Sequence, residues 1–340
     1  MPFAPIWKDR IVTLAAGADS ADFEIRIGSA AGTLLYAGRA YRRPGSADVV
    51  ARINDVCADY LAHGFPDLGS RYTSMLVSET FVTVVGGSAV DTVTFVNDWS
   101  YDPLRVITAS TPLSDPILPE LDPRQLFFFS VLAGTTSVNI VINFRDGTSA
   151  TVIVPVVHTA DFNDDFNDDF NIDESDSGSG TAIQDLSAFV GLASVSVNGV
   201  IYPVRDQGCA RYLVAYVNAY GGWDTMILDG IPVRRDDLVR HTIDTDYDNA
   251  DPTARGRRDY AIEVSPAWTL RTGILTDAQS EKMHHLLNSP DVYLLDFADM
   301  VWRPVVLTDT THDEQTYRSN GRRPAVYEFN AQLAQERFRR

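Results

Sequence analysis

At 340 residues, with 45% hydrophobic and 22% charged side chains, the chain has a globular balance and the length for two domains of ordinary size, which excludes a disordered or collagen-like polymer. A formal net charge of −18 opposes stable nucleic-acid binding, which needs clustered cations; nearly all of the 28 basic residues are scattered arginines, Lys8 and Lys282 being the only lysines. No apolar run approaches the ~20 residues of a bilayer span, and MPFAPIWKDRIV lacks the blocks of a signal peptide, so a soluble chain without membrane insertion is expected.

In chain order, the first elements are short β-branched and aromatic runs between turn signals: FEIRIG, TLLYAG, FVTVVG, DTVTFVN, QLFFFSVLA, SVNIVINF and SATVIVPVV. The last two flank Arg145-Asp146-Gly147-Thr148, where Asp-Gly supplies the positive φ angles of a tight hairpin. One helix interrupts these strands. Ser46 can cap it, and Val49, Ile53, Val56, Cys57, Tyr60 and Leu61 form one apolar stripe, which predicts a helix from Ser46 to Leu61.

The stretch Asp161–Gly180, DFNDDFNDDFNIDESDSGSG, joins an acidic four-residue repeat to a Ser/Gly tail, carries eight acidic groups and no basic one, and reads as an interdomain link. Its Phe162, Phe166 and Phe170 recur every fourth residue, on one side of a strand and close to one side of a helix; rings so placed are expected to anchor the link on a neighbouring subunit. Beyond it strands resume in SVSVNGVIYPV (turning at Asn198-Gly199), YLVAYVNAY, DTMILDG, RDYAIEVSP, WTLRTG, DVYLLDF and RPVVLTD. A second helix is predicted from Thr276, where Thr276 and Gln279 spell a capping box, to Asn288. The fold class expected is therefore mainly β: two β-sandwich or barrel-like domains, each with one principal helix, over residues 1–160 and 182–340, joined by the acidic linker 161–181.

Catalysis needs a nucleophile beside a base, paired carboxylates in a cleft or a metal-ligand cluster, and none has a local signature in this chain. His284 and His285 are adjacent, so on a helix they diverge by about 100° and do not form an i, i+4 metal pair. Cys57 and Cys209 are the only cysteines and give no disulfide framework. Calcium at the Asp-rich link is disfavoured, because the repeat lacks the glycine-turned loop and distal bidentate Glu of such sites. No cofactor is expected.

Several strings carry more than composition: Asn97-Asp98-Trp99-Ser100-Tyr101-Asp102; Tyr216-Val217-Asn218 with Gly221-Gly222-Trp223-Asp224; and the order WTLRTG, capped helix, SPDVYL, RPVVLTD. Trp99 and Trp223 read as core or interface anchors beside Asp and Gly turns. With Tyr36-Ala37-Gly38-Arg39-Ala40-Tyr41, Ile53-Asn54-Asp55 and Asp59-Tyr60-Leu61, this succession resembles a poorly characterised family of tail or tail-tip structural proteins in phages and prophages of Bacteroidales-type bacteria. The resemblance covers most of the chain except the acidic link. It implies a non-enzymatic virion tail protein, of the distal-tail or baseplate-like ring type, whose partners are copies of itself in a symmetric ring such as a hexamer and other phage tail proteins. Two rival classes are a carbohydrate-binding or adhesin β-sandwich, which would show coplanar exposed aromatics on one sheet face, and a hydrolase with two carboxylates across a groove.

Overall fold

A computed structural model describes residues 3–61, 64–75, 78–100, 102, 105–108, 111–118, 120–132, 135–156, 179–206, 210–244, 257–309, 324–334 and 337–339. The fold is mainly β, of β-sandwich type, with two α-helices among the described residues. It forms two compact units. The first comprises Met1–Pro116, Pro123–Asp206 and Val217–Asp224, the second Ile117–Asp122, Gln207–Tyr216 and Thr225–Arg340.

In chain order the first unit contains β1 (Phe3–Pro5), β2 (Ile11–Ala16), β3 (Ser20–Ile27), β4 (Leu34–Tyr41), β5 (Asp48–Arg52), α1 (Asn54–Tyr60), β6 (Tyr72–Met75), β7 (Ser78–Val85), β8 (Ser88–Val96), β9 (Leu126–Val131), β10 (Ser137–Phe144), β11 (Ser149–Pro155), β12 (Ser179–Asp185), β13 (Leu192–Val197) and β14 (Val200–Pro203). These pair as β1-β8-β7-β3-β4, β11-β10-β13-β14, β6-β12-β9 and β2-β5. Period-two side chains build the core: Phe23 and Ile25 from β3 meet Phe81, Phe95, Leu14 and Ile53. The two expected hairpins are present. Gly147 takes φ +87° between β10 and β11, and Asn198 and Gly199 take φ 50° and 82° between β13 and β14, the two positive angles of a type I′ turn.

The first helix is shorter than its apolar stripe suggested. Asp48–Arg52 is a strand, and Ser46 bonds the backbone of Asp48 without capping α1. Val49, Ala51 and Ile53 are all buried, a period-two pattern that Val49, Ile53 and Cys57 also satisfy as helical spacing. Pairing with β2 decides between them, from Ile11↔Arg52 to Ala16↔Asp48.

The expected division at 161–181 differs from the compact units. On either side of the acidic stretch, β9 and β12 pair from Leu126↔Asp185 to Val131↔Gly180, which keeps 123–206 in one unit. Ser179 and Gly180, read as the tail of the link, lie in β12, whose first six residues are all buried. A Cβ on Gly180 would stand 2.2 Å from the Tyr72 hydroxyl and 2.5 Å from the Thr73 carbonyl oxygen, so glycine admits the close approach of β6.

The second unit contains β15 (Tyr212–Val217) up to Tyr216, β16 (Trp223–Leu228) from Thr225, β17 (Val233–Asp244), β18 (Arg257–Arg271), α2 (Asp277–Leu287), β19 (Val292–Asp296), β20 (Val301–Leu307), β21 (Glu328–Leu333) and β22 (Arg337–Arg339). One eight-stranded sheet runs β16-β15-β19-β20-β21-β18-β17, with β22 also on β18. Helix α2 carries the expected capping box at Thr276 and Gln279 and lays Met283 and Leu286 on Leu270, Val292, Tyr327 and Phe329. RDYAIEVSP and WTLRTG, expected as two strands, form the single β18, which runs through Pro266.

Candidate functional site

The turn between β15 and β16 is built by Asn218. Its Oδ1 accepts the N–H groups of Tyr220 (2.8 Å) and Gly222 (3.1 Å), while its Nδ2 donates to the Leu113 carbonyl (2.8 Å) and to Asp224 Oδ2 (2.5 Å). Gly221 sits at φ +87°, and a Cβ on Gly222 would lie 2.7 Å from the Leu113 oxygen, so the Gly-Gly pair is a steric requirement of this turn. Asp224 Oδ2 also accepts the Asp115 N–H at 3.0 Å, and the Tyr202 hydroxyl donates to the Asp115 carbonyl at 3.3 Å.

Asp115 and Asp224 are 1% and 0% exposed. Burial first, and the charge of Asp115 second, push the Asp224 carboxyl well above the usual carboxylate range, which favours its protonated form. Its Oδ1 has no partner among the described residues. Burial likewise raises the Tyr202 phenol. A carboxyl pair closed to solvent cannot reach a substrate, so these groups lock a turn.

A second cluster lies at the surface of the same unit. Asp98, 1% exposed, receives Arg105 Nη1 at 2.6 Å; the guanidinium also donates to the Pro112 carbonyl and lies 3.9 Å from the Tyr220 ring centre. Trp99 donates its backbone N–H to the Ala219 carbonyl at 2.6 Å and its indole N–H to Asn97 Oδ1 at 2.5 Å. The NDWSYD string and the Asn218 turn, far apart in sequence, are thus joined in space. Arg105 was not foreseen. Only its place seven residues after a buried Asp, beside a Pro-rich run, could have pointed to it.

The two tryptophans part company. Trp99 is 44% exposed and keeps ring surface for a partner, whereas Trp223 is 0% exposed, donates its indole N–H to the Gly64 carbonyl at 3.0 Å and meets Phe65 edge-on. Trp223 is a core anchor and presents nothing to an interface. Phe162, Phe166 and Phe170 lie outside the described residues. His284 is half-buried and donates Nδ1–H to the Glu281 carbonyl, while His285 is buried; the two rings meet edge-on with centroids 4.3 Å apart, so the divergence expected of adjacent helical residues is offset by their side-chain torsions. Burial pushes the Cys57 thiol up to about 12, which makes it an unreactive core residue. Among the described residues no three His, Cys, Asp or Glu gather to hold a metal ion, and no helix is long and apolar enough to cross a membrane.

In the second unit, β17 and β18 form a long antiparallel ribbon. Every residue of β17 is exposed or half-buried, and Val233, Leu238, Val239, Ile243 and Tyr260 show apolar surface to solvent. Beyond Ile262 toward Arg257, β18 has no other strand partner among the described residues. Compared with protein-family models, curated proteins and solved structures, the chain matches none.

Proposed function

We propose that the protein is a non-enzymatic assembly subunit of a tailed bacteriophage, a distal-tail or baseplate-like ring component that joins copies of itself and other tail proteins in the virion. The observation that carries an assembly role is the β17–β18 ribbon. A two-stranded ribbon exposed on both faces is marginal in water, and its apolar side chains, open among the described residues, gain burial against another chain. The tail setting rests on the family resemblance of the sequence strings. An acidic surface suits a ring traversed by DNA, because it repels phosphate.

The carbohydrate-binding alternative calls for aromatic rings aligned on one sheet face. The exposed Tyr36 and Tyr41 lie five residues apart on β4, in unbroken register with β3, and so point to opposite faces. Electron microscopy of the purified protein and of the parent particle tests the proposal. Rings, or density at the tail end, are the expected result; a dispersed monomer that binds glycans, or turnover of a glycan or peptide abolished by one carboxylate substitution, would overturn it.

A further inference from the structure

The outer edge of β17 carries the chemistry of a specific partner. Among the described residues β17 pairs with β18 alone, leaving twelve residues of open edge. Open edges are usually blunted by charged side chains, Lys above all, by Pro or by a bulge; Val233–Asp244 has no Lys, Pro or bulge, and its charges, three Arg and three Asp, are of mixed sign and so can pair across an edge instead of repelling. The one register shift, between His241↔Ala261 and Thr242↔Asp259, puts the extra residue, Tyr260, in β18. Pro266 stands opposite Asp236 and has no N–H to give, so that pair falls where antiparallel neighbours do not exchange bonds. Asp236, Leu238 and Arg240 then turn their backbone N–H and C=O groups to the open side.

We infer that β17 pairs antiparallel with β17 of a second copy of this chain, about a twofold axis through Leu238. A twofold perpendicular to a sheet keeps each face on itself, so it matches residues of like parity, and centring on Leu238 uses nearly the whole strand. Asp236 then lies opposite Arg240 of the second copy, Leu238 opposite Leu238, and Arg240 opposite Asp236. On the other face Val233 meets Ile243, Asp237 meets Val239, and Arg235 meets His241. No two acids and no two arginines are opposed. Asp236, Leu238 and Arg240 are exposed, Leu238 at 52%. Each charge has capacity to spare: Asp236 is 3.6 Å from Arg234, beyond hydrogen-bond range, and Arg240, bound to Asp259 at 2.7 Å, has further N–H groups.

This pairing goes beyond the tail proposal and depends only on the edge. Its test is sedimentation velocity on the full chain and on the variants Asp236→Arg and Arg240→Asp. Each reversal sets like charges opposite one another at two places, and self-association is expected to weaken by about a hundredfold in either variant alone. Mixed one to one, the variants set the introduced arginine of one chain opposite the introduced aspartate of the other, and the native Arg240 opposite the native Asp236, so the mixture is expected to regain wild-type association. The double variant Asp236→Arg/Arg240→Asp is expected to associate like wild type. Recovery in the mixture cannot come from repair within a chain, since each chain keeps its own like-charge pair. A wild-type monomer at tens of micromolar, single variants that associate unchanged, or a mixture that stays dissociated would each overturn the pairing. Rings indifferent to both reversals would overturn it while leaving the tail-assembly proposal standing.

Discussion

The hydroxyls of Ser130 on β9 and Thr181 on β12 lie 2.8 Å apart, fully buried, although 51 positions separate them in the chain. Ser130 Oγ also accepts the Trp223 backbone N–H at 2.9 Å. The two substitutions should therefore differ. Ser130→Ala strands a buried N–H and is expected to cost about 1–3 kcal/mol, whereas Thr181→Val keeps shape, leaves that bond in place and is expected to cost about 1 kcal/mol. Urea unfolding followed by tryptophan fluorescence reads both; equal losses would assign Ser130 no separate role.

Asp224 makes stability depend on pH in an uncommon direction for a carboxylate. Its folded pKa stands above the unfolded value of about 3.9, so its contribution is full below about pH 4 and is lost as pH rises toward the folded pKa. Asp224→Asn keeps an oxygen for the Asn218 and Asp115 donors and removes the titration. The variant's stability relative to wild type is expected to grow as pH rises from about pH 4 toward the folded pKa, and parallel curves would mean that the carboxyl is ionised in the fold.

Arg105 neutralises a buried charge, with side-chain exposures of 14% for Arg105 and 1% for Asp98. Arg105→Met leaves Asp98 uncompensated and is expected to cost about 3–5 kcal/mol. Arg105→Lys keeps the charge but loses the bond to Pro112 and the flat stack on Tyr220, and an intermediate loss is expected. A shift of the thermal midpoint for Arg105→Met no larger than for a surface substitution would refute the assignment.

Trp223→Ala empties a core position and is expected to cost about 3–5 kcal/mol, while Trp99→Ala should leave stability within about 1 kcal/mol of wild type. If Trp99 serves an assembly contact, its removal lowers self-association at unchanged melting temperature, which sedimentation and calorimetry on the same sample can separate.

Thr276 closes both halves of its capping box: its backbone N–H donates to the Gln279 side chain, and its hydroxyl accepts the Gln279 N–H. Thr276→Ala is expected to cost about 1 kcal/mol and Thr276→Ser almost nothing, measured by chemical unfolding. Equal losses would show that the side-chain methyl, and not the hydroxyl, holds the helix start.

The parts of the fold legible in the sequence are those where local chemistry acts alone. Asp146-Gly147 and Asn198-Gly199 turn their hairpins, and Thr276 with Gln279 starts α2, because each signal is complete within four residues. Asp48–Arg52 misled because Val49 and Ile53 fit two periods, and only pairing with β2 separates them. β12 escaped notice for the opposite reason. Apart from Thr181, its Ser-Gly-Thr-Ala start has little strand propensity of its own and is held by neighbours on both edges, β6 and β9. Trp99 and Trp223 drew attention as anchors, but only the fold shows that one ring is covered and the other open. Asp115 and Asp224 could not be matched beforehand, since 109 residues separate the bonded groups.

The interleaved course of the chain has a consequence for its biosynthesis. The first unit takes its last piece from Val217–Asp224, after the second has already taken Ile117–Asp122 and Gln207–Tyr216. On the ribosome, β9 must wait for β12, and Leu113 and Asp115 must wait for Asn218 and Asp224, so their buried polar groups stay hydrated until more than two hundred residues have been made. No single cut liberates either unit as an intact fragment, and a nascent chain that stalls before β12 is made leaves the apolar Phe127–Phe129 of β9 without its strand partner.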